Sequence, residues 1–420
     1  MPPKIAIVDA NYKDQKFRGL AATWLSWELQ QRGIQTVTPL EAEYLLISIS
    51  SPKGYKDVKR ALKNHWNGKA KRILGGGGCF APAIFDPLVD CQCVGEGYDF
   101  LVTLIEDSYQ AVLKRPETWV PGETRPVTPN MNFPWHMPPI LNTDNIYRVF
   151  ASRGCHNKCL FCQTGNAQTY RTNPNPDLLN RQVRNLRERG LKFALVTNDG
   201  ADVPIQVDGP QEFVSANFKN LVKLQKEGRL IPRYFKQVRI GVEGVSERLR
   251  KAIGKPVPND GLAELTIKAN RDGVRVRWFF IAGLPGEEPE DWEELRALFR
   301  TTHHIEKSMI IAVFHSFIPE PSTPLGVLPL VDEYLPRYNS VITHYYRGMD
   351  FTGRIHFTAP GHYPTRLREA MENMCARESQ LRRGWFDHLN PNWRVQYPLG
   401  PDKLRRMAKA YMRRLEQKGG

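Results

Sequence analysis

Residues 152–165, SRGCHNKCLFCQTG, place Cys155, Cys159 and Cys162 at C-x-x-x-C-x-x-C spacing. Thiolates are the soft ligands that iron–sulfur clusters use. A cubane has four irons, so three cysteines leave one iron without a protein ligand. An open site on a reducible cluster is a catalytic feature. Zinc is the structural alternative, and a closed zinc site needs a fourth ligand, for which His156 or Cys375 is available. The run YRVFAS (147–152) just before the loop is a predicted strand, so the cysteines sit at a strand C-terminal end.

Outward from this loop the sequence alternates strands and helices. Predicted strands cover 147–152, 192–198, 237–243, 274–283 and 308–317, with helices over 176–188, 245–253, 259–271 and 289–301. This pattern predicts a partial β/α barrel with chemistry at the strand C-terminal ends. Upstream, KIAIVD (4–9), YLLISIS (44–50), KRILGGGG (71–78) and DCQCVGEG (90–97) read as strands, the last two running into glycine turns. Helices are expected at 19–32 and 55–67. Alternation of this kind gives a parallel sheet with both faces covered. Residues 116–139 hold seven prolines and predict a linker or a strap across the surface. Past Pro324 the alternation fades. Helices are expected over 365–382, which holds Cys375, and over 402–417.

The resulting expectation is α/β: an N-terminal Rossmann-like domain (1–115), a Pro-rich linker (116–145), a partial (β/α)6 barrel (146–330) and a mixed, mainly helical C-terminal extension (331–420) with a basic terminal helix.

At the cysteine loop the chain resembles the radical S-adenosylmethionine (SAM) superfamily. The three cysteines at this spacing, Phe161 just before the last, and the preceding strand carry the resemblance. It spans about 146–325. It implies a [4Fe-4S] cluster on Cys155, Cys159 and Cys162, with SAM bound at the open iron. It also implies a one-electron reductant of the flavodoxin or ferredoxin type, and hydrogen abstraction by a 5′-deoxyadenosyl radical.

Further segments agree with it. GVEGVSERLRKAIGK (241–255) resembles a segment common in the branch with an N-terminal Rossmann-like domain, which implies Glu243 as a SAM contact. FIAGLPGE (280–287) resembles the glycine turn after the fifth barrel strand, which implies contact with the adenine through Ile281, Gly283 and Gly286. FIPEPSTPL (317–325) resembles the segment after the sixth. Asn198 and Asp199 fall where that family meets the amino-acid moiety of SAM. Each of these residues alone is equally compatible with a turn or a helix cap.

Residues 1–115 resemble the cobalamin-binding domain that precedes many such barrels. The resemblance implies Ser48, Ser50, Gly76, Gly77, Gly78, Gly95 and Glu96 as cobalamin contacts. Two departures are visible, the first of them shared with much of that branch. No D-x-H-x-x-G motif is present, and the stretch between QTVTPLE (35–41) and AEYLLIS (42–48) leaves no room for a second strand and its crossover helix. Cys91 and Cys93 alternate on one strand and read as core thiols, or, with Cys79, as a second cluster like that of methylthiotransferases.

Formal net charge is +15. Such a field attracts polyanions, nucleic acid among them, or serves solubility alone. Residues 402–418 add Lys403, Arg405, Arg406, Lys409, Arg413, Arg414 and Lys418 on one segment. No membrane span and no signal-peptide layout is visible, so a cytoplasmic location is expected. The expected function is transferase-type functionalisation of a carbon centre, cobalamin-dependent methylation if a corrin is bound. The alternatives are cobalamin-independent modification of a nucleic-acid base and a non-catalytic, metal-containing nucleic-acid-binding protein.

Overall fold

The computed structural model describes residues 2–12, 19–50, 54–199, 211–304, 310–317, 320, 322–328, 354–357, 395–396 and 398–416. Cys375, the helix expected over 365–382, and Lys418 lie outside these residues.

The N-terminal unit runs β1 (Ile5–Asp9), α1 (Leu20–Gln31), β2 (Tyr44–Ser48), α2 (Tyr55–His65), β3 (Lys71–Gly75), β4 (Cys91–Cys93), α3 (Tyr98–Glu106), α4 (Tyr109–Leu113) and β5 (Thr118–Trp119). The strands lie in sequence order, β1 to β4 parallel and β5 antiparallel at the edge. Alternation within each strand covers both faces. Ala6, Val8, Leu45 and Ile47 pack with α2, while Ile5, Ile7, Leu46 and Ile73 pack with α1 and α3. α2 thus takes the face opposite α1 and α3. After α1 the chain runs along the free edge of β1, where Val37 N donates to Ile5 O at 3.0 Å, before it enters β2. That single bond stands where the absent strand would pair, as the short 35–48 segment predicts.

The Pro-rich segment is an ordered strap rather than a free linker. It contributes β5 to the first sheet and β6 (Ile140–Leu141) to the second. Between them Phe133, Met137 and Ile140 pack on Trp24 of α1.

The second unit continues with β7 (Tyr147–Phe150), β8 (Ser152–Arg153), α5 (Gln163–Ala167), β9 (Arg171–Thr172), α6 (Pro176–Glu188), β10 (Phe193–Val196), β11 (Val214–Ala216), α7 (Phe218–Lys226), β12 (Gln237–Glu243), α8 (Glu247–Ala252), α9 (Asn259–Arg271), β13 (Arg275–Ala282), α10 (Pro289–His304), β14 (Ile310–Ser316), β15 (Arg354–Phe357) and α11 (Pro401–Glu416). β7 pairs parallel with β10, and β11 through β15 form a parallel sheet. Glu212 N donates to Phe193 O at 3.0 Å and ties the two sheets together.

Local signals explain the elements. Asn175 caps α6, Pro176 opens it, and Leu179, Val183 and Leu186 bury one face against β7 and β10. The structure adds two parallel barrel strands to the five expected. β11 is the third barrel strand. β15 pairs with β14 from beyond residue 330, so the extension supplies a strand to the barrel, and the boundary expected at 330 cuts through the sheet.

Candidate active site

The cysteine loop leaves the C-terminal end of β7 and closes into α5, whose N-cap is Cys162. Asn166, fully buried, donates from Nδ2 to Cys159 O and Cys162 O, 2.8 Å each. Leu160 N donates to Ile253 O at 3.2 Å and Leu160 O accepts from Leu325 N at 3.0 Å. The loop is therefore latched between the end of α8 and the segment after β14. Asn198 Nδ2 donates to Gly154 O at 2.7 Å, which holds the start of the loop.

Cys155 and Cys159 are buried and Cys162 is partly so. Lys255, Cys162, Glu243 and Cys155 all lie close enough to act on Cys159 electrostatically. Burial pushes the Cys159 thiol up to about 12 and raises Cys162 as well. Thiols so placed ionise only against a strong cation, which fits an iron-bound role. Three soft donors on one loop, two buried and one partly so, suit a cluster with an open iron. Among the described residues no three His, Cys, Asp or Glu groups converge on a single metal ion, and His156 lies tilted against Tyr170 with ring centroids 3.5 Å apart.

Glu243 ends β12 at a shift of register with β13, in a left-handed conformation (φ 71°). Its Oε1 accepts from Lys255 Nζ at 2.8 Å. Burial works against the Lys255 ammonium, but Glu243 and the thiols outweigh it and hold its pKa above the usual value. Gly241 leaves the space this pair fills, since a Cβ there would lie 2.2 Å from Glu243 Oε1.

The other residues expected to meet SAM have these surroundings. Phe161 and Ile281 pack on the barrel core. The Asp199 carboxylate accepts from Asn217 and Asn220 and braces the start of α7. Gly283 N donates to Glu287 at 2.9 Å, and Gly286 lies under Leu415 of α11.

A cavity of about 530 Å³ opens at the C-terminal ends of β1 to β4. Its wall includes Asp9, Ser48, Gly75 and Gly97, and it reaches Phe150 and Arg153 of the barrel. A Cβ on Gly76 or Gly77 would strike the carbonyls of Ile49 or Ser50, and one on Gly95 that of Asn130. Those three glycines admit neighbouring backbone, whereas Gly75 and Gly97 face open space. Gly78 is buried in the 3₁₀ turn Gly77–Phe80. Ser50 Oγ donates to Asn11 at 2.8 Å. Glu96 is held by Arg153 at 2.9 and 3.2 Å and by Arg171 at 3.4 Å, joining the N-terminal unit to the strand before the cysteine loop. Gln163 Nε2 reaches Gly77 O at 2.9 Å from the other side.

Cys91 and Cys93 share one face of β4, and Cys79 belongs to the core on the other. All three are buried, and burial raises each thiol, Cys91 to about 12.

Sequence reasoning missed Lys255, Asn166, Gln163 and the arginines on Glu96. Lys255 closes the segment 241–255, so its place was visible but its partner was not.

Fold and site together define a β/α-barrel protein built around a three-thiol loop at the strand C-terminal ends. Residues 149–299 match the model of the radical SAM superfamily, so the chain carries a radical SAM domain over that stretch. Its cofactors are a [4Fe-4S] cluster and SAM.

Among curated proteins the chain is similar to the ribosomal protein uS12 methylthiotransferase RimO of Alkaliphilus oremlandii, 25% identical over 55% of this chain and 55% of that one. It is also similar to the threonylcarbamoyladenosine tRNA methylthiotransferase of Danio rerio, 22% identical over 51% of this chain and 43% of that one. The chain thus spans about half the length of the curated relatives it matches. Among solved structures, the cobalamin-dependent SAM radical enzyme OxsB with aqua-cobalamin and SAM bound aligns at TM-score 0.50 and 14% identity, over 88% of this chain and 61% of that one. That is a likeness of fold. No helix among the described residues is long and apolar enough to cross a membrane.

Proposed function

We propose that the chain is a cytoplasmic enzyme that cleaves SAM reductively and functionalises a carbon centre of its substrate. The observation that carries this reading is the buried loop of Cys155, Cys159 and Cys162 facing the Glu243–Lys255 pair. The cluster, when bound, supplies one electron to the SAM sulfonium, received from a flavodoxin- or ferredoxin-type reductant. This chain's residues hold and orient. The three thiolates anchor iron, Glu243 takes a donor group of SAM, and Asn198, Ile281 and Gly283 border the same strand ends. The cavity above β1 to β4 is the place for cobalamin in this reading. It opens at the correct strand ends and touches the barrel at Arg153, two residues from Cys155. The structure of OxsB, similar in fold, has aqua-cobalamin and SAM bound. Methylation then follows as the transfer.

The second reading is cobalamin-independent modification of a nucleic-acid base. It rests on the net charge of +15 and on the basic face of α11, and one relative is named for a tRNA reaction. Anaerobically reconstituted protein given SAM and dithionite should release 5′-deoxyadenosine. Absence of release from protein with full iron content would overturn the enzymatic reading. The absorption spectrum of protein from cobalamin-fed cells separates the two readings, since only the first shows a corrin.

A further inference from the structure

Alternation along the barrel strands sends Val149, Val238, Ile240, Val276 and Trp278 toward the helices. Arg148 of β7, Arg239 of β12 and Arg277 of β13 therefore lie on the opposite, concave face. The register of β12 on β13 sets Arg239 directly beside Arg277. The Phe213 ring carries the Arg239 guanidinium at 3.4 Å and that of Arg148 at 5.0 Å. Three cations thus gather near the N-terminal end of the barrel, away from the cysteines.

Their compensation is thin. Asp144 pairs with Arg148. Glu212, on the same rim, is held by Lys236 at 2.6 Å. Arg239 Nε has one contact at 3.5 Å, to Gln237 Oε1, the outer limit of a hydrogen bond. Arg277 Nε is buried and has no hydrogen-bond partner. Three guanidinium groups facing one carboxylate leave two positive charges uncompensated among the described residues. Burial, then Arg277 and Arg148, lower Arg239 to about 10. Like charges placed opposite on paired strands destabilise a sheet, and burying them adds cost. Among the described residues nothing recovers that cost, and a bound anion would. Planar guanidinium forks in a group match the several oxygens of a phosphoryl group.

We propose that Arg148, Arg239 and Arg277 bind a phosphoryl group of the substrate at the floor of the barrel. Arg239 and Glu243 lie four residues apart on one strand, about 13 Å at the usual rise. An anchored substrate then presents to the cysteine end an atom about that far from its phosphoryl group. This last step rests on the proposed SAM chemistry; the anion site itself does not.

The test is calorimetric titration of the reconstituted protein with inorganic pyrophosphate, and with succinate as a carboxylate probe. Pyrophosphate should bind at least 10-fold more tightly than succinate. R239Q and R277Q should each weaken pyrophosphate binding at least 10-fold, and R405Q/R406Q on α11 should leave it unchanged. No pyrophosphate binding by the wild-type protein overturns the proposal. Equal or tighter binding of succinate overturns the phosphoryl assignment. Loss of binding in R405Q/R406Q, or none in whichever of R239Q and R277Q folds, places the anion elsewhere and overturns it as well. Release of 5′-deoxyadenosine from the same wild-type sample reports the SAM reading separately. A sample that cleaves SAM and ignores pyrophosphate sinks only the anion site.

Discussion

Glu243 and Asn145 are the non-glycine residues with left-handed backbone among those described. Such a conformation costs about 1–3 kcal/mol and persists where the surroundings over-determine it. At Glu243 they do: the register shift, the gap left by Gly241 and the Lys255 ammonium all fix one carboxylate position. Glu243→Ala should keep the cluster, weaken SAM binding by at least 10-fold, and lower stability by about 1–3 kcal/mol because Lys255 loses its acceptor. SAM titration and thermal melts check the two effects separately; unchanged SAM affinity would reduce Glu243 to a brace for Lys255. Cysteine variants follow from burial. Cys155→Ala, Cys159→Ala and Cys162→Ala should each lose the cluster, since each thiolate holds one iron. Cys91→Ala should retain about four irons per chain, because Cys91 is core packing on β4. Iron analysis decides, and loss of iron in Cys91→Ala would revive a second cluster. At this scale the spacing of the three thiols was legible from the chain alone. The partners of Asn166 and Lys255 were not, because they are set by contacts between distant elements.

Long, periodic elements were readable, short ones were not. α6, α9 and β12 fall at their expected bounds, since each carries enough alternation or capping to declare itself. β11 has three residues, too few for any period, and β15 owes its strand state to pairing with β14. The turn after β13 shows what tertiary packing adds. Gly286 has φ 78°, and a Cβ there would lie 2.5 Å from Leu415 Cδ1 of α11. Gly286→Ala should therefore lower stability by about 1–3 kcal/mol, from backbone strain at a left-handed position and a shifted Leu415 methyl, as a thermal melt would show. In the same turn Glu287 is partly buried, its carboxylate turned inward, and accepts from Trp292 Nε1 and Gly283 N, 2.9 Å each. Burial raises its carboxyl to about 8, against the lowering pull of those hydrogen bonds. A carboxyl raised on folding stabilises fully below its unfolded pKa of 4.5 and loses that contribution as pH climbs toward 8. Stability relative to Glu287→Gln should thus fall between those limits; a pH-independent difference in melting temperature would mean the carboxylate is already ionised.

Across the whole molecule, Glu96 on Arg153 and Arg171, and Gln163 on Gly77, join the N-terminal cavity to the cysteine loop. No sequence pattern announces such a junction, because its members lie 57 or more residues apart. Charge, by contrast, is read directly. α11 buries Leu404, Ala408, Tyr411 and Leu415, and Tyr411 Oη donates to Pro285 O at 2.6 Å. Removing the helix would open the barrel core, each such large side chain contributing about 1.5–3 kcal/mol, so deletion is a poor test of its charges. Lys403, Arg405, Arg406, Lys409 and Arg413 remain exposed on the far face. We expect the full chain to bind RNA or DNA with micromolar or better affinity at low salt, log affinity falling linearly with log salt. Gln at Arg405, Arg406, Lys409 and Arg413 should flatten that line by about 0.9 per lost phosphate contact on B-DNA, with iron content unchanged. A full-length protein with no salt-dependent binding to either nucleic acid would make the +15 charge a solubility feature and leave a small phosphorylated substrate in the barrel as the reading of its arginines.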